Sequence, residues 1–206
     1  MTAPALTLYH AAPSRSSVTL WMLEELGEPY KLEVLQLKNG DQLKPAYFAI
    51  NPMGKVPALV DEGVVITEVA AICCHLADKY TRAGLAPAVH EPLRGPYLKW
   101  MFWAPSCFEP AVIDHHLKRQ AGPRAMMGWI DYETTMNILA DAVRPGPWLL
   151  GESFTAADVV VGSGVNWGLM FGTLPKRPEF EAYAARLRTR PALQRSIAKD
   201  EALAKA

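Results

Sequence analysis

The spacing of apolar positions changes character near residue 80. Ahead of that point, short β-branched and aromatic runs alternate with stretches of helical period. Beyond it an Ala/Leu/Arg-rich helical period dominates, interrupted by Pro and Gly turns. The pattern predicts a strand over Ala5 to Tyr9, a helix over Ser14 to Leu26, a strand over Tyr30 to Gln36 and a short helix over Gln42 to Phe48. Strands follow over Val56 to Val60 and Val64 to Ile66, joined by the turn Asp61-Glu62-Gly63, and a helix over Thr67 to Tyr80 closes the unit. The order βαβ, α, ββα makes residues 1–82 an α/β domain. The Gly- and Pro-flanked stretch 83–91 reads as a linker, and 92–206 as an all-helical domain.

Composition narrows the function classes. A chain of 206 residues, half of them apolar, buries one or two cores, and its formal net charge of zero leaves no field to attract nucleic acid or an anionic membrane. There is no N-terminal apolar segment of signal-peptide type and no uncharged apolar stretch of about 18 residues, so a soluble, cytoplasmic protein is expected. The cysteines, Cys73, Cys74 and Cys107, are odd in number and two are adjacent, which fits a reducing compartment. His115-His116 has no acid or thiol partners at ligand spacing, so no metal is expected.

Two short motifs carry the chemistry and a third is structural. Pro57, inside Asn51-Pro52-Met53-Gly54-Lys55-Val56-Pro57-Ala58-Leu59, cannot donate to a sheet ladder, so it belongs at the mouth of a strand or in a special turn. With that geometry held, Val56 can offer its backbone N–H and C=O to an extended peptide. Ser14 opens a helix, where a hydroxyl and free amide groups form an anion site, although serine also favours helix starts for its own sake. Thr155 and Asp158 have the spacing of a capping box, a structural role.

Taken together and in order, these segments resemble a cytosolic glutathione transferase of the bacterial, serine-using type. Leu6-Thr7-Leu8-Tyr9-His10, Pro13-Ser14-Arg15-Ser16-Ser17 and Trp21 to Tyr30 are similar to that family's first strand, helix and second strand. Asn51 to Leu59 resembles its Asn-Pro-x-Gly-x-Val-Pro-x-Leu signature, and Phe154-Thr155-Ala156-Ala157-Asp158 its helical-domain box. The resemblance implies an N-terminal thioredoxin-like domain, a C-terminal helical bundle, a cis peptide before Pro57, a homodimer, and glutathione as co-substrate with a small apolar electrophile.

The same resemblance distributes roles. Ser14 hydrogen-bonds the glutathione sulfur, with Ser16 and Ser17 as alternates and Arg15 adding positive charge. Lys55, Val56 and Pro57 hold the peptide edge, and Glu68 pairs with the γ-glutamyl ammonium. The backbone of Val69 binds the γ-glutamyl carboxylate, Val69 standing where the family has a serine. Trp103, Phe108 and Trp167 are candidates for an electrophile pocket, against the commoner fate of core aromatics. Tyr9 reads as packing, and Cys73 and Cys74 as buried small hydrophobes. The expected reaction is conjugation of the glutathione thiolate to the electrophile. The same scaffold also suits glutathione-dependent isomerisation, dehalogenation, ether cleavage or peroxide reduction, or a non-catalytic binding or regulatory module.

Overall fold

The computed structural model describes residues 5–205. They divide into two compact units: one runs through Ala83 and takes back the chain from Arg190 onward, and the other is Gly84–Thr189.

In the first unit β1 (Leu6–His10), α1 (Ser16–Leu26) and β2 (Tyr30–Val34) form a βαβ crossover. Two single 3₁₀ turns, Leu37–Asn39 and Asp41–Leu43, lead to the short α2 (Pro45–Phe48), and β3 (Ala58–Asp61), β4 (Val64–Thr67) and α3 (Val69–Lys79) complete it. The four strands lie in the order β2-β1-β3-β4, with β1 parallel to β2 and antiparallel to β3, and β3 antiparallel to β4. The expected βαβ, α, ββα order is therefore present, with ends displaced. β3 starts at Ala58 instead of Val56 because Pro57 has no N–H for the ladder. α1 starts at Ser16 instead of Ser14, and α3 at Val69 instead of Thr67. Alternation places Leu6, Leu8 and His10 on the buried face of β1, and α1 is buried along most of its length. The β3–β4 turn is a two-residue loop in which Glu62 (φ 49°) and Gly63 (φ 84°) both take positive φ, the type I′ geometry that suits a hairpin's twist.

The last helix, α9 (Pro191–Ala204), falls in the first compact unit, where it packs on α1. Three cationic anchors explain the attachment. Arg190 donates through Nε and Nη2 to Glu25 at 2.6 and 2.7 Å, and Arg195 Nε donates to Glu24 Oε2 at 2.7 Å. Lys199 and the Tyr30 hydroxyl close on Glu24 Oε1. Burial pushes the Glu24 carboxyl up, but the Lys199, Tyr30 and Arg195 hydrogen bonds outweigh it and hold the group below its ordinary value.

The second unit is helical: α4 (Arg94–Trp103), α5 (Glu109–His116), α6 (Tyr132–Val143), α7 (Ala156–Phe171) and α8 (Pro178–Arg188). A π turn, Ala104–Phe108, joins α4 to α5 around Pro105, whose missing N–H breaks the α-helical ladder. α7 is the central helix. A Cβ on Gly162, Gly164 or Gly168 would come within 2.5, 2.5 or 2.2 Å of Leu187, Phe108 or Leu174, so close packing requires glycine there. The expected linker is part of this unit, since Leu85 is buried and its carbonyl accepts from Ala156 N–H at 2.8 Å. The capping box is formed: Thr155 N–H donates to Asp158 Oδ2 at 3.0 Å, and the same carboxylate accepts from Leu149 N–H and the Tyr183 hydroxyl at 2.9 and 2.8 Å.

Candidate functional site

Strand register decides which loops meet. Tyr9 pairs with Ala58, and Ala58 pairs with Thr67. This row brings the loop after β1, the residues ahead of β3 and the residue after β4 to one end of the sheet. With neighbouring strands about 4.8 Å apart, the row from β1 to β4 spans about 10 Å, the length of an extended tripeptide.

On β1's side the chain turns through Ala11–Arg15. Ser17 N–H donates to the Ser14 carbonyl at 3.0 Å and Val18 N–H to that of Arg15 at 3.2 Å, so the first turn opens at Ser14. The half-buried Ser14 Oγ accepts from Ser16 N–H at 3.1 Å and lies 2.7 Å from Ser16 Oγ. Ser16, a predicted alternate, is fully buried and faces away from solvent: its Oγ accepts from Ala11 N–H at 3.0 Å and lies 2.9 Å from His10 Nδ1. The third candidate, Ser17, is half-buried, and its hydroxyl has no hydrogen bond among the described residues. Arg15 is exposed at the residue preceding α1.

Behind Ser16 lies a pair that the motifs did not signal. His10 Nε2 faces Asp200 Oδ1 of α9 at 2.9 Å. The ring nitrogen and the carboxylate oxygen approach closely, but neither atom makes an in-line hydrogen bond, with each other or with any other group among the described residues. His10 was visible only as the residue after the predicted strand Ala5 to Tyr9. Asp200 was visible only as one acid in a charged helix 190 positions away.

On β3's side, the Val56–Pro57 peptide is cis and Pro57 is buried. The Lys55 side chain is exposed, while its carbonyl accepts from the Tyr47 hydroxyl at 2.6 Å and Asn51 Nδ2 at 2.7 Å. Burial pushes the Tyr47 phenol up to about 12, so it stays a donor. These two side chains fix the backbone just ahead of Val56, whose own N–H and C=O have no hydrogen bond among the described residues. Tyr47 and Asn51 lie outside the residues singled out from sequence, although Asn51 opens the signature.

On β4's side, Glu68 precedes α3 with φ 69° and ψ 121°, a conformation that costs a non-glycine residue about 1–3 kcal/mol. It is exposed, and its carboxylate has no hydrogen bond or ion pair among the described residues. Val69 begins α3, so its N–H is one of the helix's unpaired amides.

The three aromatic candidates lie in the second unit. Trp103 and Phe108 stack with centroids 5.6 Å apart, and Phe108 is buried against Gly164 of α7, one helical turn before the half-buried Trp167. A cavity of about 360 Å³ beside β2, lined by Tyr9, Glu33, Leu35, Asp41, Lys44 and Tyr47, contains none of the predicted site residues. Among the described residues no helix is long and apolar enough to cross a membrane, and no cluster of three His, Cys, Asp or Glu is placed to hold a metal.

Residues 14–79 match the family described as glutathione S-transferase, N-terminal domain. Glutathione S-transferase 3 of Schizosaccharomyces pombe is 30% identical over 170 residues, covering 74% of this chain and 70% of that protein. The disulfide-bond oxidoreductase YfcG of Escherichia coli is 28% identical over 208 residues, covering 94% and 95%. The theta-class glutathione S-transferase of Xanthomonas axonopodis pv. citri, solved with glutathione bound, superposes with a TM-score of 0.74 at 31% identity, covering 94% of this chain and 97% of that one.

Proposed function

The chain belongs to the glutathione S-transferase family, and from that premise we propose that it is a serine-using transferase conjugating the glutathione thiolate to small apolar electrophiles, acting as a homodimer. The observation that carries this reading is the single row at the sheet end. A tripeptide laid along it meets Ser14 near its thiol, the open backbone edge of Val56 at its centre, and Glu68 with the first amides of α3 at its γ-glutamyl end. An unperturbed thiol has a pKa of about 8.5, and a hydrogen bond to the charged form contributes about 1.5–3 kcal/mol, so one hydroxyl lowers that value by one to two units. The half-buried Trp103 and Trp167 supply apolar surface for the electrophile, whereas the predicted Phe108 is buried in the packing of its own helical unit. Lys55 acts through its backbone.

The test is conjugation of an activated aryl halide, with glutathione affinity measured in parallel. Ser14→Ala lowers kcat/KM by about 100-fold while glutathione affinity changes less than about threefold. Equal activity in the two proteins removes Ser14 from the chemistry, and no glutathione binding at millimolar concentration removes the transferase reading. A second reaction on the same thiolate, thiol–disulfide exchange with a small disulfide, is favoured by the name of the relative that spans 94% of the chain. Cys73, Cys74 and Cys107 all lie outside the loop that leads into α1, so the attacking sulfur there is glutathione's own. Turnover of a disulfide with none of the aryl halide selects that reaction.

A further inference from the structure

We propose that Ser16, His10 and Asp200 form a proton relay that draws the glutathione thiol proton inward through Ser14 and thereby turns Ser14 into a donor to the sulfur. The relay rests on the transferase reading above. It follows from counting protons along the chain of contacts Ser14–Ser16–His10–Asp200.

A bare His10 Nε2 lone pair 2.9 Å from an Asp200 carboxylate oxygen would be repelled, so, although the two are not in line, the ring proton is assigned to Nε2 and Nδ1 is left as an acceptor. Ser16 O–H then donates to Nδ1 at 2.9 Å. Turned instead to the Ala11 carbonyl at 3.2 Å, it would leave a fully buried ring nitrogen unpaired. Ser16 Oγ accepts from Ala11 N–H at 3.0 Å and from Ser14 O–H at 2.7 Å. Ser14 Oγ in turn accepts from Ser16 N–H at 3.1 Å. In this resting state Ser14's only hydroxyl proton points inward, and a lone pair faces the ligand. Such a group accepts from a thiol and favours the neutral sulfur, the opposite of what the reaction needs.

Shifting each proton by one position reverses every donor. The thiol S–H bond breaks and its proton joins Ser14 Oγ; Ser14's own proton passes to Ser16 Oγ, and that of Ser16 passes to His10 Nδ1. Thiol and neutral imidazole become thiolate and imidazolium, with no change in net charge. Ser14 now donates to the sulfur, Ser16 to Ser14, and His10 Nδ1–H to Ser16. An imidazolium at a site with no solvent exposure requires a counter-charge, and the Asp200 carboxylate supplies it. Ser16, His10 and Asp200 are positioning residues, and α9 enters the chemistry through Asp200.

The experiment is calorimetric titration of glutathione into the full-length protein at neutral pH in two buffers of different ionisation enthalpy, paired with ultraviolet absorbance of the bound thiolate. The relay predicts a thiolate signal with no net proton released, because the proton stays on His10. A full proton released to buffer for each thiolate formed overturns the relay and leaves the transferase reading standing, whereas no thiolate signal overturns both. Asp200→Asn keeps the shape of the side chain beside Nε2 and removes the charge. It is expected to lower the thiolate signal about tenfold while glutathione affinity stays within about threefold. An unchanged signal in that variant overturns the relay, and the proton count on the unmodified protein decides the question even if the variant does not fold.

Discussion

Asp61 and Glu68 stand at opposite ends of the same β-hairpin and the same helix, and the chain treats them in opposite ways. Asp61, at the turn end beside the last turn of α3, is 2% exposed and accepts from His75 Nε2 at 2.7 Å, Lys79 Nζ at 2.8 and 2.9 Å and the Tyr80 hydroxyl at 3.4 Å. Burial pushes its carboxyl up, but the Lys79 and His75 hydrogen bonds overcome that and hold it below the ordinary carboxylate value. Glu68, at the start of α3, is exposed, has positive φ and makes no ion pair among the described residues. A charge completed by its own chain belongs to the fold. A charge held in a strained backbone beside open helix amides is placed for something that is not part of the chain.

The contrast breaks most sharply at Asp61. Asp61→Ala leaves Lys79 and His75 beside an empty site and is expected to cost about 3 kcal/mol of stability, the low end for a broken buried pair because both partners stay partly exposed. Denaturant unfolding measures this, and glutathione affinity of the folded protein stays unchanged. Glu68→Ala reverses the pattern: unfolding free energy is not reduced, while glutathione affinity falls tenfold to hundredfold, about 1.5–3 kcal/mol, by calorimetry. A comparable loss of stability in that variant would make Glu68 part of the fold and erase the contrast. Val69→Ser sharpens it by adding a hydroxyl at the open helix start, and affinity for glutathione should rise by about fivefold, the value of one net hydrogen bond.

The smallest effect is in the pH profile. Because the folded-state pKa of Asp61 lies below its unfolded value, its stabilisation is fully present above about pH 4 and is lost as pH falls through the folded value. Its partner Lys79 is raised by the hydrogen bond to Asp61, so that contribution is present below about pH 10 and is lost as pH rises through the folded value. Asp61→Asn should flatten both limbs in thermal unfolding between acid and alkaline pH, and a profile identical to the parent's would separate the cluster from the stability of the sheet.

Much of this was local enough to read in one dimension. Alternation marked a strand over Ala5 to Tyr9, Asp61-Glu62-Gly63 a hairpin turn, and Thr155 with Asp158 a capping box, because each depends on residues within about four positions of one another. The missing N–H of Pro57 put a boundary at the mouth of β3 for the same reason. Tertiary structure alone decided the rest. The attachment of α9 to α1 joins Arg190, Arg195 and Lys199 to Glu24 and Glu25, and no local pattern marks which of the chain's many acids and bases will meet. Among three nearby serines, Ser16 stood as an alternate to Ser14, and only packing shows it turned inward onto His10, while the His10–Asp200 pair spans nearly the whole chain. Propensity and side-chain period act over a few residues, whereas an ion pair or a hydrogen-bond chain exists only where folding brings distant groups within about 3 Å.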